Sequence, residues 1–119
     1  MTEATAPGDA TRYADRLAAL GNVARLRIVR LLLAAHPDGL VVGEIQKELG
    51  IPGSTLSHHL EKLKHEGLVV VRRQRQYLRY NADTAALREL VGFLYAECCS
   101  RAGGTNRRVR WRTKTSSKR

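Results

Sequence analysis

The chain has two cysteines, and they are neighbours: Cys98 and Cys99, in the stretch "LYAECCSRAGG". A thiolate is both a nucleophile and a soft metal ligand, so the pair can carry chemistry. It is a poor structural disulfide. Adjacent Cα atoms sit about 3.8 Å apart across a trans peptide, below the usual disulfide range of roughly 4.4–6.8 Å. Two readings stay open: two free thiols, or two thiolates on one thiophilic ligand.

A second set of residues lies in "GSTLSHHLEKLKHEG" and the basic stretch after it. If Leu56, Leu60 and Leu63 turn inward, a rotation of about 100° per residue puts Ser54, His58, Glu61 and His65 on the opposite helix face. Thr55, Ser57 and Lys62 flank them. The hydroxyls gather at the helix start, where free N–H groups and the dipole favour phosphate. Such side chains read base edges or phosphates in a major groove. Arg72, Arg73, Arg75 and Arg79 follow, suited to the flanking backbone or a minor groove. The candidate DNA contacts are therefore Ser54, Thr55, Ser57, His58, Lys62 and these four arginines. A domain used for protein contacts is the competing reading, and the arginines and hydroxyls favour DNA. His59 falls at the edge of the leucine face and is expected to serve the fold. His58 and His65 lie two turns apart with no acid or thiol to complete a zinc site.

These groups need a scaffold. A helix is expected over residues 12–20, with Tyr13, Leu17 and Leu20 at helical spacing. Gly21 and Asn22 interrupt it, and a second helix runs to about residue 35, with Leu26, Val29 and Leu33 recurring along it. Pro37 and the Asp38-Gly39 turn stop that helix. Ile45 and Leu49 mark a short helix ending at Gly50. After the turn "IPG", a longer helix runs to Gly67, with Ser54 as its cap. Two helices across a short turn make a helix-turn-helix. "LVVVRR" and "QYLRYN" read as two strands of a basic hairpin. A last helix covers residues 84–99, with Leu87, Leu90, Val91, Leu94 and Cys98 on one face. The expected fold is mainly α with a two-stranded wing, a winged helix-turn-helix. It falls into a disordered N-terminus (1–11), a folded domain (12–100) and a disordered basic tail (101–119).

A hydrophobic content of 43% in 119 residues suits one domain with a small core. Residues 101–119 hold eight Lys/Arg and no acid, whereas residues 1–100 are almost balanced. The tail is too polar to fold alone; it is either a solvated end or a non-specific grip on phosphates. No basic start followed by an apolar run opens the chain, and its apolar stretches are too short to span a bilayer. A cytoplasmic protein without a membrane partner is expected. The sequence offers no Gly-rich phosphate loop, nucleophile–base pair or closed metal set, so neither enzyme activity nor a catalytic cofactor is expected.

"ALGNVARLRIVRLL", "GEIQKELGIPGSTLSHHLEKLKHEGLVVVRR" and "YLRYN" resemble the ArsR–SmtB family of bacterial metal-sensing repressors, over about residues 12–99. The resemblance implies a dimeric winged helix, a homodimer joined through its first and last helices. It also implies binding to double-stranded operator DNA and release by an inducer. One sensing site of the family needs thiols in the first helix of the helix-turn-helix, where this chain has Val41, Gly43 and Gln46. Another needs Asp and His on the last helix, where Asp83 stands without a His. A third is a vicinal cysteine pair at the end of that helix, which Cys98 and Cys99 match, without the further cysteine that often accompanies it. The chain also departs from the family in Pro52-Gly53 before the recognition helix and in a wing turn without Gly.

Coordination chemistry narrows the inducer that the resemblance implies. Trivalent inorganic arsenic favours three thiolates. Methylarsenite or phenylarsenite already carries carbon at one position, so two thiolates complete it. Arsenite or antimonite would need a hydroxide, glutathione or a partner-chain thiol as well. Zinc normally wants four ligands. A trivalent arsenical held by Cys98 and Cys99, organic in preference to inorganic, is the expected inducer. Thiol redox sensing by the same pair is the alternative, and sequence-independent DNA packaging a third.

Overall fold

The leucine face of one helix organises the core. The computed structural model describes residues 7–101. They form α1 (Pro7–Leu20), α2 (Val23–Ala34), β1 (Leu40–Val41), α3 (Val42–Leu49), α4 (Gly53–His65), β2 (Val69–Gln74), β3 (Tyr77–Ala82) and α5 (Thr84–Tyr95). Leu56, Leu60 and Leu63 of α4 are buried as their spacing predicts. They join Ile28, Val29 and Leu32 of α2, Ile45 of α3, and Leu68, Val69 and Ala82 at the root of the sheet.

Local signals set the ends of these elements. Asn22 caps α2, its Oδ1 accepting from the Arg25 N–H at 3.0 Å. Gly50 ends α3 in the left-handed conformation, φ 66°, which glycine reaches without a Cβ clash. Asp83 caps α5 through the Ala86 N–H at 3.0 Å. Pro52 precedes α4, and no side chain caps that helix. Ser54, expected as the cap, instead lies within the first turn.

Four further expectations change. α1 begins at Pro7, whose fixed φ suits a first helical turn, so residues 7–11 are helical rather than disordered. Residues 1–6 and most of the expected tail, 102–119, lie outside the described residues. In α2, Leu26 and Leu33 are 46% and 41% exposed, and Ile28 and Leu32 turn inward beside Val29. Arg25 lies on the opposite side of that helix from Arg27 and Arg30, so spacing alone admits more than one inward face. The sheet has a third strand: Leu40 and Val41 pair antiparallel with Tyr80 and Arg79, giving the order β1-β3-β2. A two-residue strand has no alternation to read. Finally, α5 stops at Tyr95, before either cysteine. Residues 96–101 are exposed turns, and without burial a few extra residues do not sustain a helix.

Candidate DNA interface and thiol pair

α4 presents its polar face as the leucine period requires. Ser54, Thr55, Ser57, His58 and Lys62 are all exposed. The first intrahelical bond runs from the Leu56 N–H to the Pro52 carbonyl at 2.8 Å. The N–H groups before Leu56 therefore lack intrahelical acceptors, and with no side-chain cap they point outward with the positive end of the helix dipole. Glu61 pairs with Lys64 at 3.2 Å on the exposed surface and leaves Lys62 to the outer face.

His59 is half-buried, and its Nδ1 lies 3.3 Å from Arg25 Nη1. Burial, then the Arg25 guanidinium, then His58 lower its pKa. A neutral imidazole that accepts from Arg25 follows. Arg25 also donates through Nε to the Ala19 carbonyl at 2.7 Å. His59 thus ties the recognition helix to the α1–α2 corner, the service to the fold expected of it.

The wing arginines are not equivalent. β2 and β3 pair Arg72 with Arg79 on one face and Arg73 with Leu78 on the other. Arg72, Arg73 and Arg75 are exposed. Arg75 holds φ 62° at the hairpin tip, a conformation that costs a non-glycine residue. Arg79, expected with these three as a DNA contact, is half-buried and hydrogen-bonded to the scaffold. Its Nε donates to Gln74 Oε1 at 2.6 Å and its Nη1 to the Gly39 carbonyl at 3.1 Å. Glu44 Oε1 stands 4.0 Å from Nη1 and also accepts from the Val41 N–H at 3.0 Å. Gly39 takes φ 77°, and a Cβ there would meet the Tyr80 carbonyl at 2.6 Å, so only glycine lets β1 close on β3 beside this clamp. A depression of about 270 Å³ lined by Asp38, Arg72, Gln74 and Arg79 opens at the wing root.

The thiols converge. Had α5 continued through them, successive side chains would diverge by about 100°. Instead Cys98 and Cys99 lie in the exposed turn after Tyr95, Cys99 takes φ 65°, and the two Sγ atoms come to 3.2 Å. Cys98 therefore does not continue the apolar stripe of α5. The Cys99 pKa is raised, first by its hydrogen bond with the Cys98 thiol, then by desolvation and by the Cys98 charge. Among the described residues no group of three or more His, Cys, Asp and Glu side chains is arranged to hold a metal ion.

A family model described as a helix-turn-helix domain matches residues 20–72. The biofilm growth-associated repressor of Xylella fastidiosa is 31% identical over 84% of this chain and 85% of its own length. A solved winged helix-turn-helix from Mycobacterium bovis, described as homodimeric and as a possible ArsR-family regulator, is 32% identical, with a TM-score of 0.58. That match covers 73% of this chain and 81% of the solved one. The chain belongs to the ArsR-type winged-helix transcriptional regulators. A structure of reduced HlyU from Vibrio cholerae also matches, at 29% identity and TM-score 0.60, over 77% of this chain and 94% of the other.

In this ArsR-type regulator the helix-turn-helix and wing lie where the sequence placed them. No helix among the described residues is long and apolar enough to cross a membrane. Three arginines were missed as structural parts: Arg25, Arg79 in its clamping role, and Arg16. Arg25 stands three residues after the capping Asn22, and Arg16 stands three residues from both Tyr13 and Ala19, on the inward side of α1. That spacing was the available signal for Arg16, and its charge masked it.

Proposed function

We propose that this regulator is a repressor, homodimeric through α1 and α5, that leaves its operator when a trivalent arsenical closes on Cys98 and Cys99. Methylarsenite or phenylarsenite is preferred to arsenite or antimonite. The approach of the two Sγ atoms to 3.2 Å without a third thiol nearby carries the reading. At a metal–sulfur bond of about 2.3 Å that separation subtends roughly 90° at the bound atom, below the tetrahedral angle of a structural zinc site. A lone-pair-bearing trivalent centre is pyramidal and accepts such a bite. The exchange balances without oxidation: two As–OH bonds break, two As–S bonds form, and each departing hydroxide leaves as water with a thiol proton. Ligation draws the turn after α5 into a ring and shifts the end of that helix. A coupling of about 1–3 kcal/mol between inducer and operator sites, typical of allostery, suffices for release.

The same thiol proximity favours a second reading, oxidation of the pair reversed by a reductant. One solved relative is described as reduced HlyU. Fluorescence anisotropy of labelled operator distinguishes the readings. The organic arsenical should release the DNA at lower concentration than arsenite, and Cys98→Ser and Cys99→Ser should each bind operator without responding. Equal potency of arsenite defeats the selectivity. A response surviving in either serine variant defeats the site. Release by peroxide, reversed by a monothiol reductant and absent with arsenicals, selects the redox reading.

A further inference from the structure

Among the described residues, Arg16 of α1 is the buried charged side chain, 6% exposed. Its Nε donates to the Glu66 carbonyl at 3.0 Å. Glu66 is the C-cap of α4, so a positive group sits at the negative end of the recognition helix. The turn that ends α4 rests on the same side chain: a Cβ at Gly67 would come 3.0 Å from Nη2. The remaining nitrogen, Nη1, is buried without a hydrogen bond. Glu89 Oε1 of α5 stands 3.8 Å from it, about 1 Å beyond a charge-assisted hydrogen bond of roughly 2.7–2.9 Å. One turn earlier on α1, Tyr13 stacks on Phe93 of α5 with ring centroids 4.3 Å apart.

An orphaned donor on a buried cation is costly, and an apolar side chain of similar size would fill the space more stably. The arrangement makes sense if the open bond is one of two positions of a packed contact. We propose that Arg16 is a positioning residue that sets the C-terminal end of the recognition helix according to where α5 stands. The closed position is the operator-binding one: a movement of α5 that brings Glu89 onto Nη1 redirects the guanidinium. The guanidinium then changes its hold on the Glu66 carbonyl, and α4 tilts in the groove. This deepens the operator-binding part of the proposed function and does not depend on which inducer moves α5.

The test compares Arg16→Met, Glu89→Gln and the double variant with wild type, as full chains. The probes are the duplex that wild type enriches from a random-sequence pool and a scrambled duplex of equal length. Arg16→Met and Glu89→Gln should each weaken binding to the enriched duplex roughly fivefold or more, and binding to the scrambled duplex by less than about twofold. The double variant should behave as Arg16→Met alone, because Glu89 acts through Arg16. Unchanged affinity in Glu89→Gln, effects that multiply in the double variant, or equal losses on both duplexes would overturn the inference. If Arg16→Met fails to fold by circular dichroism, Glu89→Gln decides alone, since its side chain is 58% exposed and dispensable to the core. If wild type enriches no duplex, the operator-binding reading falls, and this inference with it.

Discussion

A thiol titrates according to what its neighbours do to the thiolate. At Cys99 the adjacent Cys98 does most, through its hydrogen bond and its charge, and both effects favour the protonated form. In the exchange with an As–OH centre each thiol proton leaves in water with the departing hydroxide, so no proton is released while the thiol is protonated. Apparent inducer affinity, read by operator release, should therefore stay flat with pH through the ordinary thiol range and fall above it, where Cys99 ionises and the departing hydroxide finds no thiol proton. Iodoacetamide alkylation followed by peptide mass spectrometry reads the same group. The Cys99 rate should reach its midpoint above the ordinary thiol pKa, and Cys98→Ala should bring that midpoint down. A midpoint unmoved by Cys98→Ala would remove the neighbour as the cause. At this scale the pair was legible from adjacency alone. Its convergence was not, because it depends on where α5 stops and on the positive φ of Cys99.

The wing divides its arginines between solvent and scaffold, and the two groups should fail differently. Arg72, Arg73 and Arg75 face outward, so replacing any one with alanine should reduce the slope of log affinity against log salt by about 1 if each meets a phosphate. Arg79 is held by Gln74, Gly39 and Glu44. Arg79→Ala should leave that slope unchanged and lower folding stability by about 1–2 kcal/mol, as expected for lost charge-assisted hydrogen bonds. Salt-dependent anisotropy and urea unfolding measure the two effects. A slope that falls in Arg79→Ala as it does in Arg73→Ala would return Arg79 to the DNA contacts. The four were indistinguishable in the sequence because they share one basic stretch, and what separates them is that Arg79 reaches Gln74, the Gly39 carbonyl and Glu44 once the sheet forms.

For the whole molecule, the question is what covers α1 and α5. Leu17, Val91, Leu94 and Tyr95 expose between 39% and 71% of their surface on these two helices. A monomer of this size rarely leaves so many apolar side chains in water on neighbouring helices. The M. bovis relative is described as homodimeric. Light scattering at micromolar concentration should give about twice the chain mass of 13.3 kDa. Val91→Asp with Leu94→Asp should return the chain mass with the α4–wing unit still folded. A wild-type monomer would refute the dimer.

Local interactions made the helix-turn-helix readable. The period of Leu56, Leu60 and Leu63 and the breaks at Gly50 and Gly67 act within a few residues, and the structure keeps all of them. The inward face of α2, the strand at Leu40–Val41, the clamp on Arg79 and the burial of Arg16 were decided elsewhere. Arg16 meets a carbonyl 50 residues away and Arg79 one 40 residues away. A periodic pattern records which side of an element is apolar, not which distant backbone group will lie against it. Those partners exist only once the elements have packed, so the tertiary structure alone decided that Arg16 and Arg79 each close on a distant carbonyl.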